Sequence, residues 1–324
     1  MVWMMPAQQM RQLTKANSEK TLPSRESFFV APKRTTCHFP PLLIERRDTM
    51  AYYGSGTQTD PYIVDNWEDL KAVSATKGVY VRLDPDSERK VMDINETSDA
   101  LGLQENLPFY ANIEGNGWEI RNLCTGSFDI RTNGNSISDL HFVNLISDAF
   151  RVFWGSVFCT NCSFSILFLK RGCICVPNGG ASFNYCAMNL FFVGTEASTL
   201  FYALTTLTGC DIELHGSVKG LKLLETGKME NCRITGQLQL DDAELTLGSY
   251  NNTTAYNIFS VELTGSGQVL SKYTSNSICL VNTEQIAEEI TVTLLDNWVP
   301  VTTAQLQDAD YLLNTLYFPC AVEA

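Results

Sequence analysis

Two acidic side chains in this 324-residue sequence have the spacing of a catalytic pair. Asp211 and Glu213 lie two positions apart in a segment of alternating apolar residues, so both are expected on one face of a β-strand. Two carboxyl groups roughly 5 to 9.5 Å apart can cleave a glycosidic bond. Asp241, Asp242 and Glu244 form a second acidic group. These residues raise the hypothesis of a polysaccharide-degrading enzyme.

The histidine and cysteine patterns are weaker signals of chemistry. Asp139 and His141 are two positions apart and could orient an imidazole, but no serine motif accompanies them, and His141 is expected on the solvated face. Cys159 and Cys162 match the C-x-x-C pattern of zinc and redox sites. Positions three apart on a strand face opposite ways, so the two sulfurs are expected to diverge, with Cys162 in the core. The sequence predicts no metal and no cofactor.

The elements that must position these residues belong to a repeat. A short sequence pattern occurs six times between about residues 118 and 236. It consists of an apolar residue, a turn former, Leu or Cys, and another apolar residue. Within each copy the apolar residues come two apart, which indicates strands with one inward face. Aligning the copies predicts a structural core ladder of Leu123, Leu140, Cys162, Cys186, Cys210 and Cys232.

The spacing of this ladder predicts the fold. Its members are 17, 22, 24, 24 and 22 residues apart, and self-similarity of this length is typical of a solenoid. Helical repeats need a 3.6-residue period, and the leucine-rich frame is absent. The sequence therefore predicts an all-β, right-handed parallel β-helix solenoid.

The alignment also suggests structural roles for polar residues. It places Arg233 beside Asp211 on the next coil, where an ion pair is expected, and this favours a structural role for Asp211 and Glu213. A column of Asn and Asp could suggest a ligand site, but such side chains at strand starts bond their own backbone and stack into ladders. The members of that column are Asn122, Asp139, Asn161 and Asn231.

The cysteines bear on the redox compartment. There are eleven, an odd number, and four of them belong to the inward column. Disulfides would be usual in a secreted protein, but thiols in a column act as small apolar filler. We therefore expect free thiols and synthesis in a reducing cytoplasm. The first residues show no signal peptide, which agrees with that expectation.

Three stretches resemble known β-helix proteins. Residues 113–120 with residues 137–144 are similar to the opening coils of pectin-lyase-like β-helices. Residues 54–64 with residues 67–70 resemble the entry module of β-helix domains in bacterial surface proteins and tailed-bacteriophage virion proteins, and residues 303–312 resemble the closing segment of that group. The resemblance spans about residues 51 to 320 and implies the same fold.

Four segments are expected. Residues 1–50 form an extended N-terminal arm or anchor, residues 51–110 an N-terminal strand-helix cap, residues 111–282 about eight coils, and residues 283–324 a short C-terminal helical cap. Asp65 is expected to cap a helix that buries Leu70 and Val73, and Thr302 or Thr303 to cap another. An internal translation start at Met50 is an alternative to Met1.

Several strands are predicted to be apolar on both faces, which would leave aromatic side chains on an exposed wall. Monomers avoid large patches of this kind. We expect the wall to bind a ligand or to be covered in a homo-oligomer, with a trimer favoured because it is usual in the phage spikes that the sequence resembles. Cover by the chain's own arm is the alternative. The candidate wall residues are Phe153, Trp154, Phe168, Phe191, Phe192, Phe201 and Tyr202.

Charge excludes some partners. The formal net charge is −13, and residues 1–50 carry eight Lys or Arg against four Asp or Glu, so the rest of the chain carries −17. A body this acidic argues against nucleic-acid binding. No apolar run reaches the length of about 18 residues that a membrane span requires.

These observations predict a non-catalytic spike or fibre component of a tailed-phage virion. Its β-helix would bind a host surface glycan or a neighbouring virion protein, and residues 1–50 would contact other virion proteins. The stacked motifs of polygalacturonases and the Arg-x-Pro-x-x-Arg signature of pectate lyases are missing, which argues against catalysis. A polysaccharide-degrading enzyme is the first alternative, and a bacterial surface adhesin is the second.

Overall fold

The structure is a computed structural model that describes residues 52–100, 102–126, 129–148, 151–176, 179–202, 204–248, 252–271, 277–295 and 297–318. By internal contacts the chain divides into two units, Met1–Asp48 and Thr49–Ala324. All described residues belong to the second unit. The predicted arm, residues 1–50, lies outside them.

The described chain forms a parallel β-helix of about nine turns, so the predicted fold class is confirmed. Each coil contributes strands to three parallel sheets, because alternating apolar residues give every strand one inward face. The coils begin earlier and end later than residues 111–282, since Tyr62–Val64 pairs in parallel with Tyr80–Leu83, and Cys279–Asn282 with Trp298–Val301.

The short strands of the first sheet are Tyr62–Val64, Tyr80–Leu83, Val157–Thr160, Ala181–Asn184, Thr205–Thr208, Gly227–Glu230 and Asn252–Ala255. Those of the second sheet are Val91–Asp93, Cys124–Gly126, Ser163–Phe168, Ala187–Thr195, Asp211–Val218, Cys279–Asn282 and Trp298–Val301. Those of the third sheet are Leu107–Pro108, Ile130–Arg131, Phe153–Trp154, Cys175–Val176, Ser198–Phe201, Leu221–Leu224 and Ile290–Thr293. Asn112–Arg121 and Asn135–Ser147 run from the first sheet into the second, and Arg233–Gly248 and Ile258–Ser271 from the second into the third.

The predicted core ladder is correct from Leu140 onward, but Leu123 does not belong to it. Strand pairing sets Leu140 and the four cysteines side by side, each at most 2% exposed. Trp118 pairs with Leu140, whereas Cys124 pairs with Ile146, so Leu123 lies further along the second sheet, after a second positive-φ residue at Asn122. Placing Leu123 in the ladder was wrong because two successive positive-φ positions of this coil carry the same turn-plus-apolar pattern.

The corner between the first and second sheets explains the Asn and Asp column. The residue before each ladder position has a positive φ, which Asn, Asp and Gly tolerate best. Asn161 Nδ2 donates to Asp139 Oδ1 at 3.0 Å, which confirms the side-chain ladder for this pair. Asn122 belongs to a different ladder, where it donates to Asp93 Oδ1 at 2.8 Å. The corner residues are Gly117, Asp139, Asn161, Tyr185, Gly209, Asn231 and Tyr256.

All nine described cysteines are free, which confirms the expectation of free thiols for this part of the chain. The predicted divergence of Cys159 and Cys162 was wrong, because both side chains lie in the core, 0% and 2% exposed. The chain turns a corner at Asn161, so residues three apart both face inward. Cys37 and Cys320 lie outside the described residues.

Four of the seven predicted wall aromatics are core residues. Alternation turns only one of two neighbouring side chains outward, and these four point inward. The other three are half-buried: the Trp154 ring has the Arg131 and Arg151 guanidiniums 4.9 and 4.1 Å from its centroid, and Phe191 stacks on His215. The predicted outward wall was therefore wrong for Phe153, Phe168, Phe192 and Phe201, which are at most 2% exposed.

Helices cover the two ends of the described chain. The helix Trp67–Ser74 buries Leu70 and Val73 as predicted, but its N-cap is Asn66 rather than Asp65, since Asn66 Oδ1 accepts from the Asp69 amide at 2.9 Å. The remaining helical elements are Ile94–Glu96, Thr283–Gln285, Thr303–Gln307 and Tyr311–Thr315.

At the C-terminal end, Thr302 caps Thr303–Gln307 in a capping box with Gln305. The predicted single helix is two short ones, because the chain leaves helical geometry at Asp308. In the described part of the chain, no helix is long and apolar enough to cross a membrane.

Candidate functional site

A groove of about 520 Å³ lies on the outer surface of the second sheet. Five consecutive strands contribute to it, and with strands about 4.8 Å apart it is roughly 19 Å long. Its volume is in the usual range of ligand-binding clefts. The outward side chains that line it include Ser163, Ser165, Ala187, Asn189, Asp211, Glu213 and Arg233.

The groove follows from the repeat. After each ladder residue, the first and third positions of the next strand face outward, and strand pairing stacks them into two columns. The first column contains Ser163, Ala187 and Asp211, which lie side by side on neighbouring strands. Because Ser163, Ser165 and Ala187 are small, the surface is low over two coils, and the longer side chains of the following coils stand above it.

One end of the groove is charged. Glu213 Oε1 lies 3.0 Å from His215 Nε2, and the His215 ring stacks on Phe191 with centroids 4.9 Å apart. Asp211 pairs in register with Arg233, as predicted. However, no ion pair joins their side chains among the described residues. The predicted ion pair was wrong because both side chains are exposed, where water solvates each charge and a salt bridge gains little.

The other end is polar without a net charge at its floor. Ser163 Oγ lies 2.9 Å from Nδ1 of the half-buried His141, so the serine and not Asp139 orients this imidazole. Asp139 sits at the corner with φ of 50°, which takes its carboxylate away from the strand face. Asn189 Oδ1 is buried and has no hydrogen-bond partner in the described chain. It is an unsatisfied acceptor among the groove residues.

The second acidic group lies outside the groove. Asp241 and Asp242 are exposed where the chain passes from the second sheet to the third. Glu244 accepts a hydrogen bond from Thr246 Oγ1 at 2.7 Å. Among the described residues, no group of three or more His, Cys, Asp or Glu side chains is placed to hold a metal ion.

Sequence reasoning found Asp211 and Glu213 but missed the groove floor. Ser163, Ala187 and Asn189 have no chemical signature of their own. The aligned copies do contain a signal, since the outward positions directly after each ladder residue can be compared for size. A run of small residues there between longer ones predicts a depression.

Comparison with known proteins adds little on function. No known protein family and no curated protein matches the chain. Among solved structures, the chain is similar to a putative immunoglobulin A1 protease from Bacteroides ovatus, at 15% identity and a TM-score of 0.43. The match covers 80% of this chain and 89% of that one.

Proposed function

We propose that this protein binds an extended surface glycan in the groove of the second sheet without cleaving it. The observation that supports this best is the groove itself, an open polar cleft that crosses five coils over a floor of small side chains. A linear chain of sugars presents hydroxyl groups along its length, and Ser163, Ser165 and Asn189 offer donors and acceptors along the groove.

The proposal includes a place in a virion. The resemblance of residues 54–70 and 303–312 to tailed-phage proteins supports a spike or fibre component, with residues 1–50 as the contact to other virion proteins. A neighbouring virion protein is the other ligand that this assignment allows. Mass spectrometry of purified virions should detect the chain, and its presence only in uninfected bacterial cells would contradict the assignment and favour an adhesin.

Self-association is also part of the proposal. The sequence suggested self-association through an exposed aromatic wall, and four residues of that predicted wall are buried in the core. Support now comes from exposed apolar side chains at two places, Phe158 and Leu204 beside the first sheet and Leu169 and Val193 beside the second, 42 to 64% exposed. Light scattering is expected to give three times the chain mass of 36.1 kDa. The monomer mass, with or without residues 1–50, would contradict the trimer.

A polysaccharide-degrading enzyme is the second candidate, because Asp211 and Glu213 both line the groove. A glycosidase general acid is usually a carboxyl group kept protonated by burial, whereas both of these side chains are exposed. Glu213 is also held by His215. Binding without cleavage therefore fits better.

Cleavage can be tested directly. The purified protein would be incubated with host capsule or cell-wall polysaccharide and assayed for new reducing ends and unsaturated sugars. We expect none, and we expect the double variant Asp211→Asn with Glu213→Gln to retain binding, because its amide oxygens still accept hydrogen bonds. Product formation that this variant abolishes would establish the enzyme instead.

Filling the groove tests the binding proposal. Ala187→Trp places a large side chain on the groove floor, and because Ala187 is exposed the fold should tolerate it. Affinity for the polysaccharide is expected to fall about tenfold or more, which corresponds to about 1.4 kcal/mol. The matched control Ala197→Trp alters an exposed alanine outside the groove and should bind like the wild type. Equal affinities of both variants in biolayer interferometry would contradict the proposal.

A further inference from the structure

We infer that Tyr185 is a stacking platform for one neutral pyranose ring at the edge of the groove, which names a subsite and a ligand class and rests on the proposed function. Tyr185 occupies the corner position directly before the ladder residue Cys186. Ala187, two residues after Tyr185, lines the groove. The tyrosine therefore stands where a glycan leaving the groove floor would pass over the corner.

The backbone at Tyr185 is unfavourable for its side chain. Its φ is 54°, in the left-handed region that a bulky residue rarely adopts. The equivalent positions on the neighbouring coils carry Asn161 and Gly209, which suit this conformation. Strained backbone of this kind concentrates at functional sites, and here only the contact with Gly209 offsets the strain, because the side chain is 68% exposed.

The other corner tyrosine gives the contrast. Tyr256 has the same φ of 54°, but it is half-buried and its ring packs edge-on against Phe318 at the C-terminal end. Core packing therefore explains Tyr256. It does not explain Tyr185, whose ring lies on the surface.

The next coil is shaped to hold the Tyr185 ring in place. A Cβ atom at Gly209 would lie 2.8 Å from Cδ1 and Cε1 of Tyr185, so only glycine leaves room for the ring to rest there. With one side of the ring against Gly209 and most of the side chain exposed, an aromatic surface is presented beside the groove.

This chemistry fits a neutral sugar. The apolar C–H face of a pyranose packs on an aromatic ring while its hydroxyl groups bond to nearby polar side chains. Asp211, two residues after Gly209, lines the groove and can accept such bonds. The same carboxylate, Glu213 and the charge of −17 outside residues 1–50 outweigh the single Arg233 in the groove and would repel an anionic sugar.

The test uses the full chain on an array of bacterial surface oligosaccharides, both neutral and uronic-acid-containing, with affinities measured on the best neutral hit. Tyr185→Asn removes the ring and installs a residue suited to positive φ. It is expected to weaken binding about tenfold while the thermal unfolding midpoint stays the same or rises. Tyr185→Phe keeps the ring and should bind within about twofold of the wild type.

A second variant tests the support beneath the ring. Gly209→Asn also suits positive φ but displaces the Tyr185 ring, so it should weaken binding like Tyr185→Asn although the tyrosine is present. Unchanged affinity in both variants, together with loss in Ala187→Trp, would overturn the platform and leave the groove proposal standing. Wild-type binding to anionic glycans alone would overturn the neutral-sugar assignment. No wild-type binding anywhere on the array would overturn both proposals.

Discussion

At the scale of single residues, several buried thiols fill the core between the stacked coils. Cys159, Cys173 and Cys175 are at most 1% exposed. Burial raises the pKa of Cys175 to about 12, and it also raises the pKa of Cys159 and Cys173. In the folded protein these groups stay neutral at a pH where an exposed thiol ionises.

The raised thiol pKa values predict a loss of stability at alkaline pH. Between about pH 9 and pH 12 the unfolded chain loses the Cys175 proton and the folded chain keeps it, so the free energy of unfolding falls with rising pH. The slope is about 1.4 kcal/mol per pH unit for each such thiol. In urea unfolding between pH 8 and pH 10, Cys175→Ala should show a shallower decline than the wild type. Equal slopes would contradict this.

Strand alternation also decides which aromatic side chains reach the outer surface. Of two adjacent aromatic residues on a strand, one fills the core and the other meets solvent. Phe192 stacks on Phe168 inside, with ring centroids 5.4 Å apart, while Phe191 stacks on His215 outside. The half-exposed Phe191 ring is therefore covered by its neighbour on the next coil, without a second subunit.

At the scale of elements, the coils depend on close contact between successive backbones. Gly216 lies within the strand Asp211–Val218 with φ of 99°. A Cβ atom there would lie 2.0 Å from the Phe192 carbonyl oxygen on the preceding coil. A larger residue would push the two strands apart and break ladder hydrogen bonds.

A pair of glycine variants separates this crowding from backbone strain. Gly216→Ala is expected to lower the free energy of unfolding by more than about 2 kcal/mol, from positive φ and the clash together. Gly194→Ala is the matched control, with φ of 56° and open space around the added Cβ, and should cost only about 1 kcal/mol. Urea denaturation measures both, and equal losses would show that the contact between coils adds nothing.

At the scale of the whole molecule, a solenoid must close its open end. The last coil is covered by a small cluster of Leu280, Val301, Leu312 and Phe318, each at most 2% exposed. Without this cover, unpaired strand edges and apolar surface would be available for association between molecules. The short helices after Thr302 therefore have a structural role.

Two adjacent leucines test the cap. Leu312→Asp buries a charge in the closing cluster and should cost about 3 kcal/mol or more, with association visible in light scattering. Leu313→Asp is the matched control, because Leu313 is 44% exposed, and should change stability by less than about 0.5 kcal/mol. If Leu312→Asp left the free energy of unfolding unchanged, that result would contradict a structural role for this cap.

The sequence by itself determined the solenoid, most of its ladder and the free thiols. The alternation of apolar residues and the repeat of 22 to 24 residues are local patterns, and each coil repeats the same solution. Only the tertiary structure decided the position of Leu123, the inward turn of Phe153 and Phe201, and the burial of both Cys159 and Cys162. The physical reason is the corner. A single residue with positive φ changes which neighbours face inward, and similar sequence patterns occur at more than one positive-φ position of a coil.

The candidate site was also predictable from the sequence only in part. Asp211 and Glu213 could be predicted to share a face, because two-residue spacing on a strand settles that. The groove beside them could not, because its depth comes from the sizes of side chains on five different coils brought level by strand pairing. The exposure of Tyr185 over Gly209 likewise exists only where one coil rests on the next.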